Sequence, residues 1–478
     1  MKENIWKGIF HIKYRTLIRS ISSEISASLN NEERDYTKEN VKRAIFLLSV
    51  PMILEMVMES IFAVVDIYFV SKIGSEAVAT VGLTESMMSI VYSISFGLAI
   101  AASAVISRRI GEKKPEEAAN AAVQAIFAAL MVSVVIAVPG VLFASDMLSL
   151  MGASQEISEK LYGYATIMFG TNIVINFLFI INGIFRSAGD AALSMRALWL
   201  ANILNIILDP CLIFGLWIFP EMGIEGAAVA TSIGRGTAVI YQFYLLFKGK
   251  GRIKISLANV KIDFKVIFQI FKLSTGSIGQ NIIAMSSWIA LVAILASFGS
   301  ISVAGYTIAI RIIIFSLLPS WGMSNAASTL VGQNLGANQP DRAEQSVWLT
   351  SKYNLILLGF IGVLYVIFAE FWVGLFIAEP DVILKGAECL RIVSYGFLAY
   401  GVGMIVMHSF NGSGDTLTPT WINIGCFWFL EIPLAYMMAI VLGADESGVY
   451  YSIVISEIVL TIVSVILFKR GKWKERKV

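Results

Sequence analysis

Long apolar stretches separated by short polar ones cover this sequence from about residue 44 onward. Each stretch holds about 20 residues or more, the length that an α-helix needs to cross the hydrocarbon of a bilayer. The pattern therefore predicts an all-α integral membrane protein with twelve spanning helices, at residues 44–70, 77–107, 118–143, 157–186, 191–218, 224–247, 266–298, 302–332, 345–376, 382–411, 416–442 and 448–468.

Composition agrees with a membrane protein. Hydrophobic residues make up 57% and charged residues 15% of the 478 residues. An ordinary soluble domain has about 25% charged residues, so this chain cannot be exposed to water over its whole surface. The net charge of +2 gives no sign of a nucleic-acid partner, and we expect none. His11 and His408 are the only histidines, and neither has a partner at metal-ligand or catalytic spacing, so we expect no enzymatic activity.

The distribution of lysine and arginine predicts the orientation. These residues precede the first predicted helix, follow the second, lie between the sixth and seventh, and fill the tail. Cytoplasmic loops collect such residues, so we predict a protein of the cytoplasmic (inner) membrane with both termini in the cytoplasm. The chain then divides into an N-terminal segment (1–43), a first lobe (44–247), a linker (248–265), a second lobe (266–468) and a basic tail (469–478).

The N-terminal segment has no small-residue cleavage site after an apolar core, so we do not interpret it as a signal peptide. Its apolar residues recur at roughly helical spacing between basic ones, at Trp6, Ile9, Leu17, Ile21 and Ile25. That spacing suggests a helix lying on the inner leaflet, held by apolar burial and anionic lipid. A disordered basic tail is the alternative.

The two halves of the chain are copies of one another. A shift of 225 positions places loop glycines and prolines on each other: Gly74 on Gly299, Gly111 on Gly336, Pro115 on Pro340 and Gly189 on Gly414. Six spans per copy mean that both copies enter the membrane from the same side, as in parallel-repeat transporters. We therefore expect two six-helix lobes around a central cavity that rocking of the lobes opens to either side.

Several ionisable residues fall within the predicted spans of the first lobe. The first helix carries Glu55, Glu59 and Asp66 at spacings of four and seven, and the fifth carries Asn202, Asn205 and Asp209. These spacings place each set on one helix face. Placing a charged carboxylate in the hydrocarbon of a bilayer costs a free energy of at least about 2.5 kcal/mol, so such residues are candidates for function.

Asp66 and Asp209 are expected at a similar depth, and so is Thr231 of the sixth helix. With the amide oxygen of Asn205 they form a cluster of oxygen ligands. Their oxygens can share a proton between like charges, or they can coordinate a small cation. We therefore expect these residues to be metal ligands only if sodium is the coupling ion. We expect Glu55, Glu59 and Asn202 to line the substrate cavity. The alternative is that the acids pair with intramembrane arginines and only fix helix packing. Arg235 and Arg311 are the candidate counterions.

The second lobe lacks these acids at the corresponding positions. At the shift of 225, Asp66 falls on Leu291 and Asp209 on Leu434. We therefore predict that ion coupling belongs to the first lobe, and Glu431 is a possible acid of the second. Pro51 and Pro210 lie within the first and fifth helices and are candidate hinges, because proline removes a backbone hydrogen bond.

The chain resembles the multidrug and toxic compound extrusion (MATE) family in a series of motifs. They are Pro51 followed by VVDIYFVSKIG at 64–74, FRSAGD at 185–190, NIILDP at 205–210, GAAVAT at 226–231, YTIAIR at 306–311 and NGSGDTLTP at 411–419. The resemblance implies that the first-lobe residues Asp66, Asn205, Asp209 and Thr231 form the cation or proton site. Some relatives instead use acids in the seventh and tenth helices, where this chain has Gln280, Ser286 and Tyr400.

The resemblance implies a proton- or sodium-coupled antiporter that exports amphipathic, often cationic, small molecules by alternating access. A flippase for lipid-linked saccharides would share the two-lobe architecture and is the alternative. It would need a strongly cationic cavity for pyrophosphate, and the acids of the first lobe argue against one. We expect no cofactor besides the coupling ion, contact with membrane lipid, and a monomer.

Overall fold

The protein is a bundle of helices that run back and forth between two ends. The computed structural model describes residues 22–30, 34–256, 260–476 and 478, and these contain no β-strand. We number the spans α1 to α12: Val41–Ser71, Ser75–Gly111, Pro115–Leu142, Tyr162–Gly170 with Asn172–Ala188, Ala191–Phe214, Gly223–Lys248, Phe264–Ala296, Ser300–Gly336, Pro340–Gly374, Pro380–Ser394 with Phe397–Ser413, Leu417–Val441 and Asp445–Lys469.

The predicted fold class is confirmed. Within the described ranges, nine helices are individually long and apolar enough to span a membrane, and the bent pairs α4 and α10 bring the number to eleven. The remaining helix, α6, is 26 residues long. It carries Glu225, Arg235 and four glycines, which lower its mean hydropathy. Two short helices, Ala144–Leu150 and Gln155–Lys160, connect α3 to α4, a detail that the apolar pattern did not indicate.

The internal repeat extends to the backbone. Shifting α2 by 225 positions gives the bounds of α8, and the second segment of α4 falls on the second segment of α10 in the same way. α3 ends at Phe143, and its counterpart α9 has a non-helical residue at the equivalent Phe368. The two lobes therefore share their irregularities as well as their helices.

Both lobes bend and end their fourth helix alike. α4 bends by 44° at Thr171, and α10 bends by 57° at the corresponding break. Each then ends at a glycine in the left-handed conformation, Gly189 with φ 95° and Gly414 with φ 89°. A side chain is disfavoured there, which explains why glycine recurs in the FRSAGD and NGSGD turns.

The lobes meet along α1 and α8 and along α2 and α7, two pairs that the repeat relates to each other. We call the end that carries residues 111–115, 248–265, 336–340 and 469–476 the basic end. A buried apolar cluster that includes Leu48 and Leu330 is shared between the lobes there. Nearby, Gln333 Nε2 of α8 donates to the Ser187 carbonyl oxygen of α4 at 2.9 Å.

At the opposite end the lobes are separate. The apolar cluster around Val81 and Met88 contains first-lobe residues, and the cluster around Tyr306 and Ile313 contains second-lobe residues. Because the shared packing lies at the basic end, the cleft between the lobes opens toward the opposite end.

Glycines bring the two backbones together at the closed end. A Cβ on Gly322 of α8 would lie 2.8 Å from the Ile53 nitrogen of α1. Gly111 of α2 faces the backbone of Gln333 in the same way. Larger residues at these positions would force the lobes apart.

The basic tail is ordered against both lobes. Trp473 is fully buried, stacks on Phe468 at 4.5 Å and donates its indole N–H to the Phe468 carbonyl. From the first lobe, Arg108 Nη2 donates to the carbonyl oxygen of Arg476 at 2.9 Å. At the other terminus, the predicted interfacial helix falls mostly outside the described residues, which there include a helix over 22–29.

Candidate functional site

Glu55 is held inside the first lobe by three donors. It is 1% exposed on α1. Its Oε1 accepts from Arg186 Nη1 at 3.0 Å and from Asn182 Nδ2 at 3.3 Å, and its Oε2 accepts from Ser194 Oγ at 2.6 Å. These partners belong to α4 and α5, so Glu55 ties three helices together. In this structure its carboxyl group faces the lobe interior, and its assignment to the substrate cavity stays a prediction.

Glu59 lies one helical turn further along α1 and is also paired. Its Oε2 accepts from Asn202 Nδ2 at 3.0 Å, and its Oε1 lies 3.7 Å from Arg235 Nη2. The Glu59 side chain is 28% exposed, whereas Asn202 is 1% exposed. Glu59 is therefore accessible from outside the lobe, whereas Asn202 is buried in this structure; the assignment of both residues to the substrate cavity stays a prediction. Arg235 acts as a counterion, as predicted, and also lies over the Phe62 ring at 5.6 Å.

Small residues let α6 approach α5 closely. A Cβ on Gly234 would lie 2.6 Å from the Ala201 carbonyl oxygen, and one on Gly226 would lie as close to the Leu212 carbonyl carbon. The GAAVAT segment therefore packs directly on the α5 backbone. This close packing places Thr231 opposite the polar face of α5.

Asn205, Asp209 and Thr231 meet where α5 packs on α6. Asn205 Nδ2 donates to Thr231 Oγ1 at 2.9 Å. Asp209 is 0% exposed, and the Asn205 side chain lies near its carboxyl group. No donor in the described part of the chain is at ordinary hydrogen-bond distance from either Asp209 oxygen or from Oδ1 of Asn205. Buried oxygens without a donor are rare, because each costs about 1–3 kcal/mol. Asp209 differs in this respect from Glu55, because both carboxyl oxygens of Glu55 accept hydrogen bonds.

Asp66 completes the predicted set. It lies five residues before the end of α1, as Asp209 does on α5, so the two occupy similar depths. Asp66 is half-buried, and its carboxyl group is close enough to that of Asp209 to interact electrostatically. The structure thus brings the four predicted residues into one region that faces the opposite end of the bundle.

The donors in this region suit a hard ion or a proton. They comprise two carboxyl groups, an amide oxygen and a hydroxyl, and hard cations prefer oxygen ligands. Among the described residues, no group of three or more His, Cys, Asp or Glu side chains could hold a metal ion. A site of this kind would therefore depend on Asn205 and Thr231 as well as on the acids.

Both candidate hinge prolines lie within continuous helices. Pro51 is buried in α1, and Pro210 directly follows Asp209 in α5. Each helix continues through its proline in this conformation. Their role as hinges stays a prediction.

Four acids of the second lobe are buried among the described residues, and Asp415 and Glu446 each pair with a basic side chain. The other two lie within apolar helices, and one of them, Glu457, was not predicted. Glu431 of α11 is 6% exposed and accepts from Ser287 Oγ at 2.6 Å. Glu457 of α12 is 4% exposed, close enough to Glu431 to interact electrostatically, and forms no ion pair with a described residue. The available signal for Glu457 was its position in the apolar interior of α12, eleven residues after the two acids that begin the helix. Neither position corresponds to Asp66 or Asp209 under the repeat.

The cleft itself carries charges from both lobes. Glu85 of α2 and Arg311 of α8 are both exposed and near enough to influence each other electrostatically. Arg311 forms no ion pair within the described ranges, so its predicted counterion role differs from that of Arg235. Glu85 was not predicted, although Ser89 and Ser93 follow it at helical spacing on α2.

Comparisons with known proteins agree with this architecture. The MatE family model matches residues 51–211 and 277–437, which lie one in each lobe and together make up more than half of the chain. "Probable multidrug resistance protein YoeA" of Bacillus subtilis is 26% identical over 418 residues, covering 87% of this chain and 90% of that protein.

A second relative and a solved structure extend the likeness. "Probable multidrug resistance protein NorM" of Thermotoga maritima is 25% identical over 453 residues, covering 92% of this chain and 94% of that protein. A structure of a multidrug resistance MATE family transporter in an outward-facing conformation superposes with a TM-score of 0.87 at 25% identity. The superposition covers 94% of this chain and all of that one.

Proposed function

Because the chain belongs to the MATE family of multidrug efflux transporters, we propose that it is a cation-coupled antiporter that exports amphipathic, often cationic, small molecules in exchange for protons or sodium ions. We further propose that the basic end faces the cytoplasm from the inner membrane and that the chain works as a monomer. The relatives named above are multidrug resistance proteins, which favours a transporter over an enzyme and over a saccharide flippase.

One observation supports the ion site above all: Asp209 is buried beside the Asn205 side chain, and no donor among the described residues is at ordinary hydrogen-bond distance from its carboxyl oxygens or from the Asn205 amide oxygen. A bound positive ion or a proton would satisfy these oxygens. Glu55 does not have this capacity, because Arg186 already compensates its charge. The exchangeable charge is therefore assigned to Asp66 and Asp209.

Coupling then follows from the repulsion between these two acids. With no ion bound, like charges at Asp66 and Asp209 disfavour close approach of α1 and α5. An ion that enters from the open end removes this repulsion, so α1 can move toward α5 and reduce the space available to substrate. Antiport requires only that ion and substrate stabilise different conformations of the lobe.

The sidedness fits export. The lobes pack together at the basic end and part at the opposite end, so an external ion has a route to the site while the cytoplasmic route is closed. Substrate would bind after the lobes rock to open the basic end. Glu59, partly exposed, is the acid that we assign to attracting a cationic substrate.

The test is efflux of a cationic amphipathic dye from vesicles that contain the purified protein, under separate proton and sodium gradients. We expect one gradient to drive transport. Asp66→Asn and Asp209→Asn should reduce gradient-driven transport at least about tenfold, in the range of ordinary coupling energies. Downhill dye exchange should persist, which separates loss of coupling from loss of folding.

Glu431→Gln is the matched control, since it neutralises a buried acid of the other lobe that has a hydrogen-bond donor. We expect this variant to stay coupled. If both aspartate variants pump at the full rate under either gradient, the ion assignment is wrong. Loss of coupling in Glu431→Gln alone would move the site to the second lobe.

A further inference from the structure

A groove of about 670 Å³ lies between α11 and α12 at the basic end, away from the cleft between the lobes. Its walls are apolar along the helices. Residues four positions apart form a stripe on each helix: Ile422, Cys426 and Leu430 on α11, and Val459, Val463 and Leu467 on α12. This spacing places each stripe along one helix face, so the groove runs parallel to the helix axes.

The basic rim of the groove carries excess positive charge. Arg470, Lys472 and Arg476 line it together with one acid, Asp415. Arg476 Nη2 lies 3.2 Å from Asp415 Oδ1, so these two charges offset each other. Arg470 and Lys472 are exposed and form no ion pair with any residue that the structure describes. Two positive charges at the rim therefore lack a counterion.

The tail fixes these charges in place. Trp473 is fully buried between Lys472 and Lys474, and its indole N–H is bonded to the Phe468 carbonyl. This anchor holds the backbone that carries Lys472 at the mouth of the groove. The rim is therefore part of the folded structure.

The length of the groove matches one leaflet. Val459 and Arg470 are 11 residues apart on a helix, which corresponds to about 17 Å. Half of the hydrocarbon thickness of a bilayer is about 15 Å. Trp421, 69% exposed on the same wall, suits the interfacial level at which tryptophan is enriched.

We propose that this groove binds one anionic phospholipid of the leaflet at the basic end. The phosphate contacts Arg470 and Lys472, and an acyl chain lies along the two apolar stripes. A zwitterionic lipid carries its own positive charge and leaves the rim charges uncompensated. An apolar solute alone would leave them uncompensated as well.

The experiment is native mass spectrometry of the full chain with phosphatidylglycerol and phosphatidylcholine of identical acyl chains. We expect the wild type to retain one phosphatidylglycerol molecule in preference to phosphatidylcholine. The double variant Arg470→Gln/Lys472→Gln should bind phosphatidylglycerol about 30-fold more weakly, since two basic residues near an anionic headgroup are removed.

Two further variants separate charge from space. Lys248→Gln/Lys272→Gln removes two exposed charges from outside the groove and should bind phosphatidylglycerol as the wild type does. Val463→Trp fills the groove and should lose the bound lipid while keeping its rim charges. Melting temperatures of all variants report whether they fold.

The outcomes are decisive in both directions. Selective loss in the rim variant, with the control unchanged, supports the site. Equal retention of both lipids by the wild type, or equal loss in the rim and control variants, overturns it. Displacement of the lipid by inorganic phosphate at millimolar concentration would also overturn it, because a free ion would then suffice.

Discussion

The ion pair between Glu55 and Arg186 allows a quantitative test of how the first lobe is held together. The two side chains are 1% and 11% exposed and approach to 3.0 Å. Replacing Arg186 with methionine leaves the Glu55 charge buried, and breaking a buried pair costs about 3–5 kcal/mol. Ser194 and Asn182 still donate to Glu55, so we expect the lower part of this range, about 3 kcal/mol.

The partner variant should be milder. In Glu55→Gln the amide oxygen can still accept from Asn182 at the Oε1 position, the amide NH2 at the Oε2 position can donate to the Ser194 hydroxyl, and Arg186 keeps some contact with water. We expect a loss of about 1–2 kcal/mol from one unpaired, partly solvated charge. The double variant Glu55→Gln/Arg186→Met has no stranded charge, so it should be more stable than Arg186→Met alone.

Thermal unfolding of the purified protein in detergent measures these differences. A loss of 3 kcal/mol corresponds to a decrease in melting temperature of about 6–12 °C for a unit of about 200 residues. Arg391→Met is the matched control: Arg391 pairs with Glu370 at 2.9 Å, but the side chains are 39% and 57% exposed. That variant should lose less than about 1 kcal/mol.

Two results would refute this reasoning. The first is a melting temperature of Arg186→Met close to that of the wild type or of Arg391→Met. The second is a double variant that loses the sum of the two single losses, since additivity would mean that Glu55 and Arg186 do not interact.

Two further predictions concern the basic end. Gly322→Leu should shift the lobes toward opening there, because a Cβ at this position would lie 2.8 Å from the α1 backbone, and a cysteine introduced nearby should then be labelled faster. Gly82→Leu is the control: a Cβ there would have no atom within 4 Å, so the labelling rate should not change. The hydrogen bond to Glu344 raises the pKa of Lys474 above its usual value of 10.5. The contact therefore contributes its full stabilisation of the tail below pH 10.5, and this stabilisation is lost only as the pH rises through the raised pKa of Lys474. Hydrogen exchange of residues 470–476, corrected for intrinsic rates, should therefore be constant from about pH 6 to 9, and about two- to fivefold faster in Lys474→Gln.

Much of the fold could be predicted because the length of each apolar stretch and the internal repeat can be read directly from the sequence. The predicted span ends agree with the structure within five residues. The breaks at Thr171 and Tyr395 escaped the analysis, since both lie in apolar stretches and a bend changes no hydrophobic period. The glycines at 189 and 414 were visible in the sequence, but their left-handed conformation became apparent only with the backbone.

The candidate site was predictable in part. Helical spacing placed Asn205 and Asp209 on one face, and depth placed Asp66 and Thr231 nearby. Spacing within one helix could not show which acid has a partner on another helix. Arg186 lies in the FRSAGD motif, which the sequence did not connect with Glu55, so recognising their pairing required the three-dimensional arrangement of α1 and α4.

The backbones of the two lobes correspond more closely than their buried charges do. Bends, end caps and helix bounds coincide between the halves, whereas the buried acids do not. This is the pattern that duplication of one six-helix unit leaves when the fold is kept and the buried acids change afterwards. The two halves therefore have the same backbone frame but differ in where a buried charge must be compensated.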